Sequence, residues 1–461
     1  MLRPVNRLPS EILSHIARCS LDENATNAGP IIPLTHVCRY WRESIISTPE
    51  NWTLISSERI NLTELSLGRC KAAPLKLWLD MSQIINNPRF SDLVAPHIRN
   101  TGTLRLGPLS TIEELVQTLP NFPQSMPNLR SLSLSKHVVW DQSSDPFGPF
   151  PSTLTYLSLI GIHLYPSFLC LRNLTVLVLR NYQFNLHCDT LLRFLEENRS
   201  LESATLEIRF SLPSFRILQR KVAITNRLQN LSMCSTNVRD NGALISGIAL
   251  QRGAHLGMTH YGRDAGLGDI LSVISMNHLS NLQSPTSLGY HPDRKRILLS
   301  GPNGSFSYSC PFGSGTPFVE FPLLPLTKIR EVRLVRHVST PVEAPMNAMV
   351  FLPSPLPALE VLIVEHEPNP VRLLSALLSA PPSFPSFKTL AFLNCNLTDG
   401  FMEELARFAR NRKNTASAWL YRVVIVSSSG NFPSVASIDA LQRDVLVVDV
   451  RMGKKLPTDL E

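Results

Sequence analysis

The chain lacks most of the patterns that announce chemistry. Its eight cysteines (19, 38, 70, 170, 188, 234, 310 and 395) include no C-x-x-C pair and no Cys/His cluster at zinc spacing. No G-x-S-x-G, H-E-x-x-H or post-strand G-x-G-x-x-G occurs, which argues against the common hydrolase, zinc-peptidase and dinucleotide sites. The glycines of "GPNG" (301–304) are not followed by Lys-Ser/Thr, so a phosphate-cradling loop is not expected there. His255 and His260 stand five apart with no carboxylate beside them and are expected in a loop rather than as ligands. Glu196-Glu197 and Glu403-Glu404 read as solvated helix faces. No catalytic residue, metal or cofactor is therefore expected.

Long apolar runs are missing too. No stretch approaches the ~18 residues of a membrane span, and the start, "MLRPVNRLPSEILSHIARCS", is broken by Pro4, Pro9 and Glu11 where a secretory signal needs an apolar core. The expectation is an intracellular protein with reduced thiols, cytoplasmic and/or nuclear. Charge is sparse at 17%, against 43% hydrophobic residues and a mean hydropathy of +0.03, which is the balance of a folded chain. The net charge of +8 would permit nucleic acid. Yet Lys and Arg are scattered, with nothing denser than "DRKR" (293–296) and "RNRK" (410–413), so no nucleic-acid surface is expected.

What is abundant is proline, 36 of 461 residues, and two of the five tryptophans, Trp41 and Trp52, fall close together near the start. There, "LPSEILSHIARC" predicts a short helix with Pro9 as an extended entry and Ser10 as N-cap. Ile12, Leu13, Ile16 and Cys19 form one apolar stripe of it. A polar loop follows over 21–33, "LDENATNAGPIIP". Leu34, Val37, Cys38, Trp41 and Ile45 then stand at i, i+3, i+4, i+7 and i+11, which predicts a second amphipathic helix with Trp41 inward. About 50 residues of short helices cannot bury all their apolar surface alone. Such a module either closes the end of the following domain as a cap or docks a partner.

The order L-P-x-E-I-L-x-x-I, loop, L-x-x-V-C-R-x-W-R, T-P-x-x-W resembles the F-box, and is especially similar to the F-box-like version with a lengthened first loop found in large fungal families. The resemblance covers about residues 5–55. It implies an adaptor-binding set of Leu8, Pro9, Ile12, Leu13, Ile16, Leu34, Val37, Cys38 and Trp41. In it Leu8, Pro9, Ile12 and Leu13 face the adaptor, Val37 and Trp41 hold the helices together, and Cys38 could do either. It further implies a small adaptor subunit and, through it, the cullin of an SCF-type ubiquitin ligase.

Beyond residue 57 a unit recurs: "MPNLRSLSL" (126–134), "FPSTLTYLSL" (150–159), "LRNLTVLVL" (171–179), "NRSLESATLEI" (198–208), "TNRLQNLSM" (225–233), "LPLTKIREVRL" (324–334), "LPALEVLIV" (356–364) and "FPSFKTLAFLNCNL" (384–397). Where clean, the spacing is the ~20–30 residues of leucine-rich repeats. Pro127, Pro151, Pro325, Pro357 and Pro385 precede the first apolar anchor and are expected to feed the chain into an extended strand. Helices are expected at 189–200, 371–380 and 399–411, and late strands at 421–427 and 444–450. "LKLWLDM" (75–81) alternates as a strand, and "LTELSLGRC" (62–70) fits either a repeat or a helix. The period breaks over about 234–324, where "RKRILLSGPNGSFSYSC" (294–310) reads as a β-hairpin and the Gly-rich stretch 242–268 has no assignment.

The expected fold class is thus an α/β solenoid: an F-box-like helical module over 1–57, then a curved leucine-rich-repeat array over 58–461 with a parallel sheet on its concave face. The expected function is the substrate-recognition subunit of an SCF-type ubiquitin ligase, without chemistry of its own. The alternative is a non-ubiquitin repeat scaffold with a vestigial F-box. An unknown target protein would meet the side chains between the buried leucines, Tyr156, Ser158, Val178, Arg180, Arg333 and Val361. The two arginines favour an acidic target.

Overall fold

The fold is that of a computed structural model, which describes residues 8–21, 28–85, 87–109, 122–136, 148–162, 164–184, 188–210, 227–235, 242, 244–245, 247–261, 279, 283–291, 296–310, 324, 326–336, 356–379, 384–415, 419–427 and 433–452. Pro325 and residues 22–27 of the loop 21–33 lie outside them, as do Arg294 and Lys295 of the expected hairpin. The arrangement is α/β with mostly parallel strand pairing, and the chain forms two compact units dividing near 214–228. The sequence-read boundary at 57 lies inside the first unit, which joins the N-terminal helices to seven strands.

In the first unit the strands run parallel in chain order: β1 Leu54–Ser56, β2 Leu75–Leu79, β3 Thr101–Leu109, β4 Ser131–Lys136, β5 Tyr156–Ile160, β6 Val176–Phe184 and β7 Ser203–Phe210. β1 pairs only with β2 among the described residues, so the sheet is not closed into a barrel. The register explains the leucines. Leu77, Leu104, Leu132, Leu157, Leu177 and Ala204 fall in one cross-strand row. Leu79, Leu106, Leu134, Leu159, Leu179 and Leu206 fall in the next, and all twelve are buried. Each fully buried Leu contributes ~1.5–3 kcal/mol of hydrophobic stabilisation. A strand alone could not bury such a row, so neighbours must stack.

The joints between units of the repeat are also regular. The residue before each strand offers its carbonyl to the following one: Arg130 O accepts from Thr155 N and Tyr156 N, and Thr155 O from Thr175 N and Val176 N. Thr175 O accepts in turn from Glu202 N and Ser203 N. The hydroxyls of Thr155 and Thr175 reinforce the first two joints at sequence separations of 25 and 20. Proline has a different use from the expected one. Pro127, Pro357 and Pro385 are the second residue of a turn closed by Leu129 N to Met126 O, Leu359 N to Leu356 O and Phe387 N to Phe384 O. Its ring pre-sets the φ which that turn position requires. The buried anchor follows at once, so proline sharpens the corner before the strand.

Asn198 supplies a second kind of joint that the sequence pattern did not reveal. It is buried at the end of the helix Cys188–Glu197, and its Nδ2 donates to Leu171 O at 3.0 Å and Phe194 O at 2.8 Å. Its Oδ1 accepts from Leu174 N at 3.1 Å, so one amide closes backbone groups of two successive repeats.

The second unit begins with β8 Asn230–Ser235 and β9 His255–His260, in parallel. β10 Ser287–His291, β11 Arg296–Gly301 and β12 Gly304–Ser309 form an antiparallel meander whose outer strands pair in parallel with β9 and with β13 Glu331–Val335. The meander thus splices two parallel stacks, which is why the period breaks there. The hairpin turns at Pro302-Asn303, and Gly304 has a φ of +118° beside Ala254 O, where a Cβ would clash. His255 and His260 lie on β9, correcting the loop expectation. β14 Val361–Glu365, β15 Thr389–Leu393, β16 Arg422–Ser427 and β17 Val447–Met452 continue in parallel. The expected helices appear as Pro370–Ser379 and Asp399–Thr415. Phe401, Leu405 and Phe408 of the latter are buried, with Phe401 edge-on to Phe392 of β15 at 4.9 Å. Cys395 is this unit's counterpart of Asn198: its Sγ donates to Val364 O at 3.4 Å, and burial pushes the thiol up to about 12.

In β14–β16 both faces are buried. Besides the repeat core, Ile363, Ala391, Leu393, Val424 and Val426 form a cluster on the opposite face, with Val361 packed against it. Val361, expected to meet the target, is half-buried against this cluster.

Candidate docking surface on the N-terminal helices

The helices α1 (Ser10–Ser20) and α2 (Arg39–Ser47) bring together most of the residues singled out at the N-terminus. Pro9, extended at φ −56° and ψ 151°, stands at the N-cap position, and its carbonyl accepts from Ile12 N and Leu13 N. Ser10 is inside the helix and bonds Glu11 Oε2 instead, so the expected Ser10 cap is corrected. The predicted single stripe of α1 also divides. Leu13, Ser14 and Ala17 turn inward, and Ser14 Oγ donates to Thr48 Oγ1 at 2.8 Å at the far end of α2. That polar tie fixes the helix rotation. Ile12 is left 45% exposed and Ile16 half-buried.

The second predicted helix is interrupted. A 3₁₀ turn, Pro33–His36, ends at Val37, and Cys38 is fully extended at φ −162° and ψ 174° before α2 begins. Pro33 and the extended Cys38 thus split the 34–45 period into two pieces, and the break changes where the side chains go. Val37 is 52% exposed and so cannot hold the helices together as expected, whereas Trp41 and Ile45 are buried inside α2. Tyr40 is 37% exposed, and its hydroxyl donates to Leu8 O at 2.8 Å, which ties the entry segment to α2.

The expected adaptor set therefore separates by burial. Pro9, Ile12 and Val37 are exposed, and Leu8, Ile16, Leu34 and Cys38 are half-buried. Leu13 is buried, which corrects its expected place facing the adaptor, and Trp41 is buried on the inner side where it was expected; both serve as framework. Tyr40 joins the exposed group, and the pattern of buried residues alone had not marked it.

Trp52 has another task. Its Nε1 donates to Ile45 O at 3.1 Å, Asn51 Nδ2 donates to the same oxygen at 3.2 Å, and Arg69 lies 4.4 Å over its ring. Arg69 belongs to α3 (Ile60–Cys70), so Trp52 bolts the end of α2 to the helix that follows β1. "LTELSLGRC" is thus helical and not a repeat. Trp41 Nε1 is buried without a hydrogen-bond partner among the described residues.

On the sheet, Tyr156 and Val178 are half-buried, Arg180 is exposed and Ser158 is buried between β4 and β6. Arg333 is ion-paired to Glu365 at 2.9 Å across β13 and β14, so its charge is answered within the unit. Only Arg180 of the two expected arginines is left to argue for an acidic target. Among the described residues no helix is long and apolar enough to cross a membrane, and no group of three His, Cys, Asp or Glu stands close enough to hold a metal ion. No protein-family model matches the chain, and no curated protein matches it.

Proposed function

We propose that the chain is the substrate-recognition subunit of an SCF-type ubiquitin ligase, with an F-box-like N-terminal module and a divergent leucine-rich-repeat solenoid. The observation that carries this reading is the exposure of Ile12, Val37 and Tyr40 on a helical framework whose own core, Leu13, Ala17, Trp41 and Ile45, is already closed. Apolar side chains that such a framework leaves outside suit a surface covered by another polypeptide. The receptor performs no bond chemistry. It holds a target near the ubiquitin-charged enzyme and so replaces a bimolecular encounter by a tethered one.

Co-purification from the native cell tests it. The wild-type chain is expected to recover a cullin and its small adaptor. Ile12→Glu combined with Val37→Glu should lower that recovery at least about tenfold while the melting temperature stays put, since both side chains already face water. Absence of the adaptor, or recovery unchanged by the double variant, contradicts the reading. A second reading, an end cap on a repeat scaffold, is favoured by one observation: Trp52 and Arg69 fasten the helices to the beginning of the sheet. The same experiment separates the two.

A further inference from the structure

On the second unit, the strand face opposite the leucine core carries a cluster that neither the helical module nor the repeat pattern uses. His255 stands on β9, flanked in register by Asn230 of β8 and Ser305 of β12. Two residues on, Gly257 is flanked by Ser232 and Ser307. The imidazole touches both serines of β12: Nδ1 lies 2.7 Å from Ser305 Oγ and Nε2 lies 3.3 Å from Ser307 Oγ. Gly257 leaves a depression between them. A Cβ built there would stand 3.4 Å from His255 Nε2, 3.4 Å from Ser307 Oγ and 3.6 Å from Ser232 Oγ. Three polar atoms thus converge on a space the size of one heavy group. Arg296, on the same face of β11, is near enough to depress the imidazole's proton affinity, and no ion-pair partner for it is seen among the described residues.

We propose that this cradle binds a phosphate monoester group, its oxygens over Gly257 taking hydrogen bonds from Ser232, Ser307 and His255 and the charge of Arg296. The inference stands whether or not the helices dock an adaptor. A tetrahedral oxyanion needs several donors converging from different sides, which a cradle between three strands provides. In the neutral ring one nitrogen donates and the other accepts, so one serine spends its proton on His255. The imidazolium donates from both nitrogens, so the serine that had donated to the ring regains its hydroxyl proton and an N–H can turn to the phosphate oxygen. Burial, and then the charge of Arg296, hold the imidazole below its ordinary range. A bound dianion opposes both effects, so anion affinity rises as pH falls through that range. Among the described residues, the titratable groups sharing this face are Cys234 of β8, Arg296 of β11, His291 of β10 and, one strand further, Glu331 and Arg333 of β13; β12 contributes only serines.

The test is a titration of the full chain with methyl phosphate, followed through the imidazole resonances of His255. Saturable shifts are expected, with acetate at least about tenfold weaker because it lacks the third oxygen. Arg296→Gln should weaken methyl phosphate about tenfold. Gly257→Ala, whose methyl meets nothing closer than 3.4 Å and so preserves the fold, should abolish the shift. Inorganic sulfate, whose charge is constant over this range, should bind more tightly at pH 5.5 than at pH 8. Unmoved resonances, acetate binding as well as methyl phosphate, undiminished binding to Gly257→Ala, or sulfate binding indifferent to pH would each overturn the proposal.

Discussion

The strand face opposite the leucine core differs between the two units, although β4–β6 and β14–β16 pair alike, in parallel and without a register shift. In the first unit it carries Ser131, Ser133 and Ser135 on β4, Tyr156 and Ser158 on β5, and Val176, Val178 and Arg180 on β6, all but Ser158 at least partly accessible. In β14–β16 of the second unit it carries Ile363, Ala391, Leu393, Val424 and Val426, all buried. The difference teaches that repeats of one kind can present a polar surface or a second apolar core, according to what stands between the leucines. Strands written "SLSLS" or "YLSLI" alternate and keep one wet face, whereas "VLIV", "LAFL" and "VVIV" are continuous apolar runs, the pattern of strands covered on both sides.

The comparison breaks if a charge is tolerated equally on both faces. Val424→Asp places a carboxylate where no exposure remains, and is expected to cost ~3–5 kcal/mol in denaturant unfolding. Ser133→Asp, at the matching kind of position in the first unit, is expected to stay within ~0.5 kcal/mol. Similar losses at the two sites would mean that the first unit's face is covered as well.

The joints sharpen the contrast further. Asn198→Ala in the first unit leaves the carbonyls of Leu171 and Phe194 and the amide of Leu174 without the bonds it supplies, at an expected cost of ~2–4 kcal/mol. A measured loss under 1 kcal/mol would show that the backbone finds other partners. Cys395 should reveal itself through pH. Its thiol is raised from 9.0 to about 12 in the folded chain, so it stays protonated while the unfolded thiol ionises. Its stabilising contribution is full below pH 9 and is lost as pH rises from 9 towards 12, by about 1.4 kcal/mol per pH unit. Cys395→Ser is expected to remove that part of the alkaline slope; an unchanged slope assigns it to other groups.

The two tryptophans predict the smallest difference. Trp52→Phe gives up the bond to Ile45 O, whereas Trp41→Phe removes an indole N–H that has no partner among the described residues. Trp52→Phe is therefore expected to cost ~1 kcal/mol more than Trp41→Phe by thermal or chemical unfolding. Equal costs would show that packing alone sets both.

Much of the sheet was legible because a period-2 pattern repeated at near-constant intervals leaves few alternatives. Leu129, Leu132 and Leu134 all bury as the spacing requires, and the hairpin at 301–304 and the helices at 189–200 and 399–411 fall where expected. Four things were not legible. Proline's role depended on which turn position it holds, and sequence order alone does not say. The rotation of α1 was decided by Ser14 meeting Thr48, a pair 34 residues apart, so Leu13 went inside and Ile12 outside. The split before α2 moved Val37 from framework to surface, since a helical wheel assumes a continuous helix. His255 carried no local signal because its partners, Ser305 and Ser307, lie about 50 residues away on another strand.

Hydrogen exchange of the full chain with and without the purified adaptor subunit bears most directly on the proposed task of the helices. Slowed exchange over Pro9–Ile16 and Leu34–Tyr40, with β3 to β6 unchanged, is the predicted result. Exchange at those segments indifferent to the adaptor, or protection confined to the strands, would contradict it.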